Sequence, residues 1–134
     1  MAYMRKRPAL DPCPVETVLA MIAGKWKARV LYILSLEALS FGEVRSSVGD
    51  IRQQVLATVL AEMTASGIVR RNEDSSAKET RYALTQRGVE LVRLLLPVAE
   101  WGVRLLAEQG ESWRPPLIQR KPLRSGGAHE IGRR

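Results

Sequence analysis

Residues 40–85 read SFGEVRSSVGDIRQQVLATVLAEMTASGIVRRNEDSSAKETRYALT, and the order of local patterns inside this stretch decides the fold. Ser40, with Glu43 three residues on, is a capping box, so a short helix opens there and runs from about 41 to 48. Gly49-Asp50 makes a tight turn. Beyond it Val55, Leu56, Val59, Leu60 and Met63 recur at three-and-four spacing, the apolar face of a helix that Gly67 closes. Gln53, Gln54, Ala57, Thr58 and Ala61 fall on the opposite face. Residues 68–73 and 80–84 then alternate and carry β-branched or aromatic side chains, so they read as strands around the polar loop 74–79. Helix, turn, helix and basic hairpin, in that order, is the layout of a winged helix-turn-helix.

Upstream of this stretch, Pro14 suits the first turn of a helix, with Val15, Val18, Leu19 and Ile22 at helical spacing until Gly24 ends it. A second helix opens near Trp26 or Lys27 and buries Val30, Leu31, Ile33 and Leu34. Leu39-Ser40-Phe41 fits a short strand added to the later hairpin. Thr85 caps a long fifth helix to about Gly110, which Pro97 is predicted to kink or split. That helix carries Val89, Val92, Leu95, Leu96, Ala99, Val103 and Leu106, apolar on more sides than one small domain covers. Either it has a second core-facing side, or it forms a dimer interface centred on Leu95, Val98 and Trp101. The predicted class is mainly α with a small β-hairpin. Its divisions are a flexible basic arm (1–12), a winged domain with dimerisation helices (13–110) and a flexible basic tail (111–134).

Composition narrows the chemistry. With 134 residues, 46% of them hydrophobic, one modest core is the expectation. The net charge of +7 is uneven: residues 1–110 carry 15 Lys/Arg against 12 Asp/Glu, residues 111–134 carry 6 against 2. Cations cluster at Arg5-Lys6-Arg7, in the hairpin and in the tail, which favours a polyanionic partner. A single cysteine, Cys13, excludes an internal disulfide and fits a reducing cytoplasm. Residues 89–106 are interrupted by Glu90, Arg93, Pro97, Glu100 and Arg104, so no membrane span is read there. The one histidine, His129, lies in the tail, and no catalytic triad, metal-ligand spacing or glycine-rich phosphate loop accompanies it. No enzyme, no cofactor and no metal is the expectation.

A groove-reading helix needs an apolar side to hold it on the core and small or hydrogen-bonding residues outward. Gln pairs bidentately with adenine, and Thr bonds to a base edge or touches the thymine methyl. Arg52, Gln53, Gln54 and Thr58 offer this chemistry, with Arg45 on the preceding helix. Arg70, Arg71, Lys78 and Arg81 bracket the hairpin loop, suited to phosphate or minor-groove contact. A solvated helix face is the bland reading of either signal alone; in this order, on one stretch, they point to double-stranded DNA.

These residues resemble the HxlR-type transcriptional regulators, a MarR-related winged-helix group. The carrying segments are CPVETVLAMIAGKWK at 13–27, FGEVR at 41–45, Glu62 to Val69, RYALT at 81–85 followed by Gly88, Leu96-Pro97 and Trp101-Gly102. The resemblance implies a cytoplasmic homodimeric DNA-binding regulator, read as a repressor on a palindromic operator. The first and last helices would pack across the dimer through Val15, Val18, Leu95, Val98, Trp101 and Leu105. It also implies a small-molecule or electrophile effector, with Cys13 as a thiol sensor; a small packed residue at the helix start is the alternative. Two features depart from the family. Arg52 stands where a Ser N-cap is usual, leaving capping to Asp50 or the helix start looser, and Ala57 and Ala61 replace bulkier polar residues. The competing reading is a winged-helix protein-docking module.

Overall fold

The computed structural model describes residues 12–73, 79–115 and 118. Five helices and three short strands follow one another: α1 (Pro14–Ile22), α2 (Lys27–Leu36), β1 (Leu39–Ser40), α3 (Phe41–Val48), α4 (Gln53–Ala65), β2 (Val69–Asn72), β3 (Arg81–Leu84) and α5 (Gln86–Glu108). The strands form an antiparallel sheet ordered β1-β3-β2, so β1 does join the hairpin. Leu39 pairs with Tyr82 and Ser40 with Arg81, while Val69 to Asn72 pair in register with Leu84 to Arg81.

The capping box forms as its spacing predicts. The Glu43 amide donates to Ser40 Oγ (3.3 Å) and the Ser40 amide donates to Glu43 Oε1 (3.0 Å). Two of the amide donors at the start of α3 are thereby satisfied in a buried setting. The end of α4 is equally defined. Gly67 takes φ +78, a conformation that costs a side-chain-bearing residue about 1 kcal/mol or more. The chain reverses there, and the Ile68 amide donates to Met63 O (3.1 Å).

That reversal is stitched to the start of α5. Thr85 Oγ donates to Gly67 O (2.6 Å) and accepts from the Gly88 amide (3.1 Å), while the Thr85 amide donates to Ile68 O (3.1 Å). One threonine thus caps α5 and ties it to the exit of α4. Gly88 passes so near that a Cβ built there would lie 2.3 Å from Ile68 O.

The core sits between α2, α3, α4 and the sheet. Val30, Leu31, Ile33 and Leu34 meet Leu39, Val44, Ile51, Leu56, Leu60 and Met63, and Leu91 of α5 closes one side. Val55 differs from expectation: it is exposed, at the edge of the apolar arc, and the buried face of α4 is Leu56, Val59, Leu60 and Met63. The strands are shorter than their sequence pattern, ending at Asn72 and starting at Arg81. Pro97 does not split α5, which runs through it for 23 residues. Pro97 and Arg93 are both exposed, so the amide bond that Pro97 cannot donate to the Arg93 carbonyl is lost on the outer side of the helix and not in the core. Past α5, Trp113 meets Tyr32 edge-on (centroids 5.8 Å, planes at 82°) and Ile118 packs on the core. The basic arm at 1–11, the tail at 119–134 with His129, and Lys78 lie outside the described residues.

Candidate nucleic-acid interface

Arg52 occupies the N-cap of α4 with extended backbone and no side-chain capping bond. Arg52, Gln53, Gln54 and Thr58 are all exposed, as are Ala57 and Ala61. The Thr58 hydroxyl donates to Gln54 O (3.0 Å), which leaves its methyl group and oxygen lone pairs for an outside partner. The opposite side of α4 is wholly buried, so the helix is fixed while its polar face stays free.

The cations predicted around it divide into two kinds. Arg45 Nε donates to Ile51 O (3.0 Å), which holds the turn between α3 and α4. Arg81 lies 3.5 Å from the buried Glu43 carboxylate and donates to Ala38 O (3.2 Å), so it fastens the wing to α3. Arg70 and Arg71 remain at the surface. Arg70 bonds Asn72 Oδ1 across one face of β2. Arg71 lies against the Tyr82 ring at 5.8 Å and 3.9 Å from the exposed Glu73. The exposed pair with Glu73 is weak enough for a phosphate to displace.

A second basic group, absent from the residues singled out in the sequence, borders α4 beside Gln54 and Thr58. A cleft of about 360 Å³ opens between the α1–α2 turn and α4, lined among others by Lys25, Trp26, Lys27, Gln54, Val55 and Thr58. Lys27 Nζ pairs with Glu62 Oε2 at 2.8 Å and so bridges α2 to α4. Lys25 Nζ and Arg29 Cζ lie 4.8 Å and 6.0 Å from the Trp26 ring centroid. The alternation of cations at 25, 27 and 29 around Trp26 is a pattern of the sequence; that Lys25, Trp26 and Lys27 meet α4 is a tertiary fact.

None of the residues assigned to a dimer face lines this cleft. Nothing on α1 is buried, and Val15 is 64% exposed. Val18, Val98 and Trp101 are exposed too, while Leu95 and Leu105 are half-buried, Leu95 against the core. Cys13 is a free, half-buried N-cap residue whose carbonyl accepts from the Thr17 amide and hydroxyl, both at 2.9 Å. Among the described residues no group of side chains could hold a metal ion and no helix is long and apolar enough to cross a membrane.

A fixed helix with a free polar face, a turn before it and a basic antiparallel wing after it define a winged helix-turn-helix protein. The chain belongs to the HxlR-like helix-turn-helix family, which matches residues 21–110. It is 31% identical over 104 residues to an HTH-type transcriptional regulator of Halalkalibacterium halodurans, covering 76% of this chain and 92% of that one. It is 34% identical over 92 residues to the HTH-type transcriptional regulator YdzF of Bacillus subtilis, covering 67% and 84%. Among solved structures the redox regulator HypR in its reduced form superposes with a TM-score of 0.65 at 34% identity, covering 72% of this chain and 99% of that one. The family and these relatives are regulators, not enzymes, and the chain is a transcriptional regulator of the HxlR/MarR winged-helix type.

Proposed function

We propose that the chain acts in the cytoplasm as a homodimeric repressor on a two-fold symmetric DNA operator. Residues 13–110 supply the folded domain, with α4 in the major groove and the wing on the backbone or in the adjacent minor groove. Gln53, Gln54 and Thr58, with Arg52 at the helix start, read bases; Arg70, Arg71 and Lys78 contact phosphates. Arg45 and Arg81 hold the two pieces in register. The observation that carries this reading is α4 itself: buried on one face, small and polar on the other, and tied at its end through Gly67, Ile68 and Thr85 to the helix beyond the wing.

The dimer is supported by α1, which buries no residue of its own, and by the apolar surface of α5 around Leu94, Val98 and Trp101. Helices with such faces are stable when a second copy covers them. The basic arm and tail add phosphate attraction that is not base-specific. Likeness to a redox regulator supports control through Cys13, by an adduct, a mixed disulfide or a bond between subunits, alongside a small-molecule effector.

Replacing Arg70 and Arg71 together by Ala tests the placement of the wing. Loss of two phosphate contacts should make the plot of log affinity against log salt shallower by about 2. Binding that ignores salt, or that is directed to a protein rather than a duplex, would replace this reading by that of a docking module.

A further inference from the structure

The wing is not the only basic edge beside α4. An α-helix with its side chains is about 10–12 Å across and the major groove about 12 Å wide, so a helix that fills the groove brings both its flanks to the bordering phosphate strands. β2 of the wing packs against α4. The α1–α2 turn meets another part of α4: Lys25, Trp26 and Lys27 share a cleft wall with Gln54 and Thr58, and Arg29 stands beside the Trp26 ring.

Of these cations Lys27 is committed to Glu62 at 2.8 Å. Lys25 and Arg29 are exposed, and among the described residues neither pairs with a carboxylate. Both sit by the Trp26 ring, Lys25 within 4.8 Å of its centroid and Arg29 within 6.0 Å. A cation resting on an aromatic face keeps its charge while giving up conformational freedom, so less is lost when it meets a phosphate.

We propose that Lys25 and Arg29, held by Trp26, form a second phosphate clamp that grips the DNA strand bordering the Gln54–Thr58 side of α4. This rests on the placement of α4 in the groove proposed above and adds a partner for the α1–α2 turn. The clamp carries no base information; it sets how deeply and at what angle α4 enters. Lys27, through Glu62, fixes the distance between clamp and helix.

The test uses the full chain with Lys25→Gln and Arg29→Gln combined, titrated against a duplex bearing the preferred site and an unrelated duplex between 50 and 200 mM salt. Two lost phosphate contacts make the slope shallower by about 1.8, so the fall in affinity across that salt range shrinks ~12-fold. Both duplexes should lose affinity by the same factor, with the melting temperature unchanged. Lys25→Glu alone, at an exposed position outside the core, should also weaken both duplexes equally. Unchanged slopes in these variants, while Arg70→Ala with Arg71→Ala still flattens the slope, would overturn the clamp and leave the placement of α4 standing. A wild-type protein whose duplex binding is indifferent to salt would overturn both.

Discussion

Gly88→Ala sets two principles against each other. Gly88 is the third residue of α5, and in a helix Ala is favoured over Gly by up to about 1 kcal/mol. Propensity alone therefore predicts a more stable protein. The structure predicts the reverse, because the new methyl carbon would lie 2.3 Å from Ile68 O and 3.2 Å from Leu84 Cβ. An ordinary contact needs more than an ångström of further separation from that oxygen. The obstacle is backbone, held by the Thr85 amide at 3.1 Å, so it cannot swing aside like a side chain. Either α5 retreats and the bonds of Thr85 to Gly67 O, Ile68 O and Gly88 stretch, or the exit of α4 shifts. Overpacking of this kind costs about 1–3 kcal/mol, and each weakened hydrogen bond about 1 kcal/mol. Set against the helix gain, the net loss is about 2 kcal/mol, a fall of roughly 6–10 °C in melting temperature for a chain of this size. Thermal melts followed by circular dichroism measure it, and the same seam places the wing, so duplex affinity should fall as well. A variant that melts at or above the wild-type temperature would refute the close approach and the seam built on it.

Other perturbations separate local structure from assembly and control. Ser40→Ala removes the cap of α3 and leaves the Glu43 amide without its partner; about 1 kcal/mol should be lost, with Ser40→Thr restoring most of it in chemical denaturation. Trp101→Asp places a charge on the exposed apolar face of α5. Sedimentation should show monomers with the melting temperature of the domain little changed, whereas an intact dimer would move the interface elsewhere. Native Cys13 should be alkylated by iodoacetamide, with the S–C bond formed as iodide leaves, and the adduct should lower operator affinity; an unmodified thiol would remove it as a sensor.

Much of the fold was legible because its decisive signals are local. The capping box at Ser40 and Glu43, the turn at Gly67 and the cap at Thr85 each depend on residues within a few positions, and each forms where its spacing predicts. Val55 was misplaced because helical period gives the centre of an apolar arc better than its edge, and the edge here faces a cleft. Of the two outcomes Pro97 suggests, a kink or a split, the split does not occur: α5 continues through it, at an exposed position. The interface was legible in part. Its polar helix face and basic hairpin are patterns in one dimension. The division between Arg81, which pairs with Glu43, and Arg70 and Arg71, which stay at the surface, is not. Nor is the meeting of Lys25 and Trp26 with α4, which requires the chain to bring the α1–α2 turn back onto a helix about thirty residues later.

In the proposed complex, α4 of each of two subunits reads one half of a symmetric duplex site. Selection of bound duplexes from a random pool at fixed, stated salt tests it most directly. The enriched sequence should be two-fold symmetric, with half-site centres about 34–36 Å, one helical turn, or a simple multiple apart, and enrichment at the centre of each half-site should be lost on Gln54→Ala. A pool that gains no common sequence, or a site without symmetry that Gln54→Ala leaves unchanged, would contradict it.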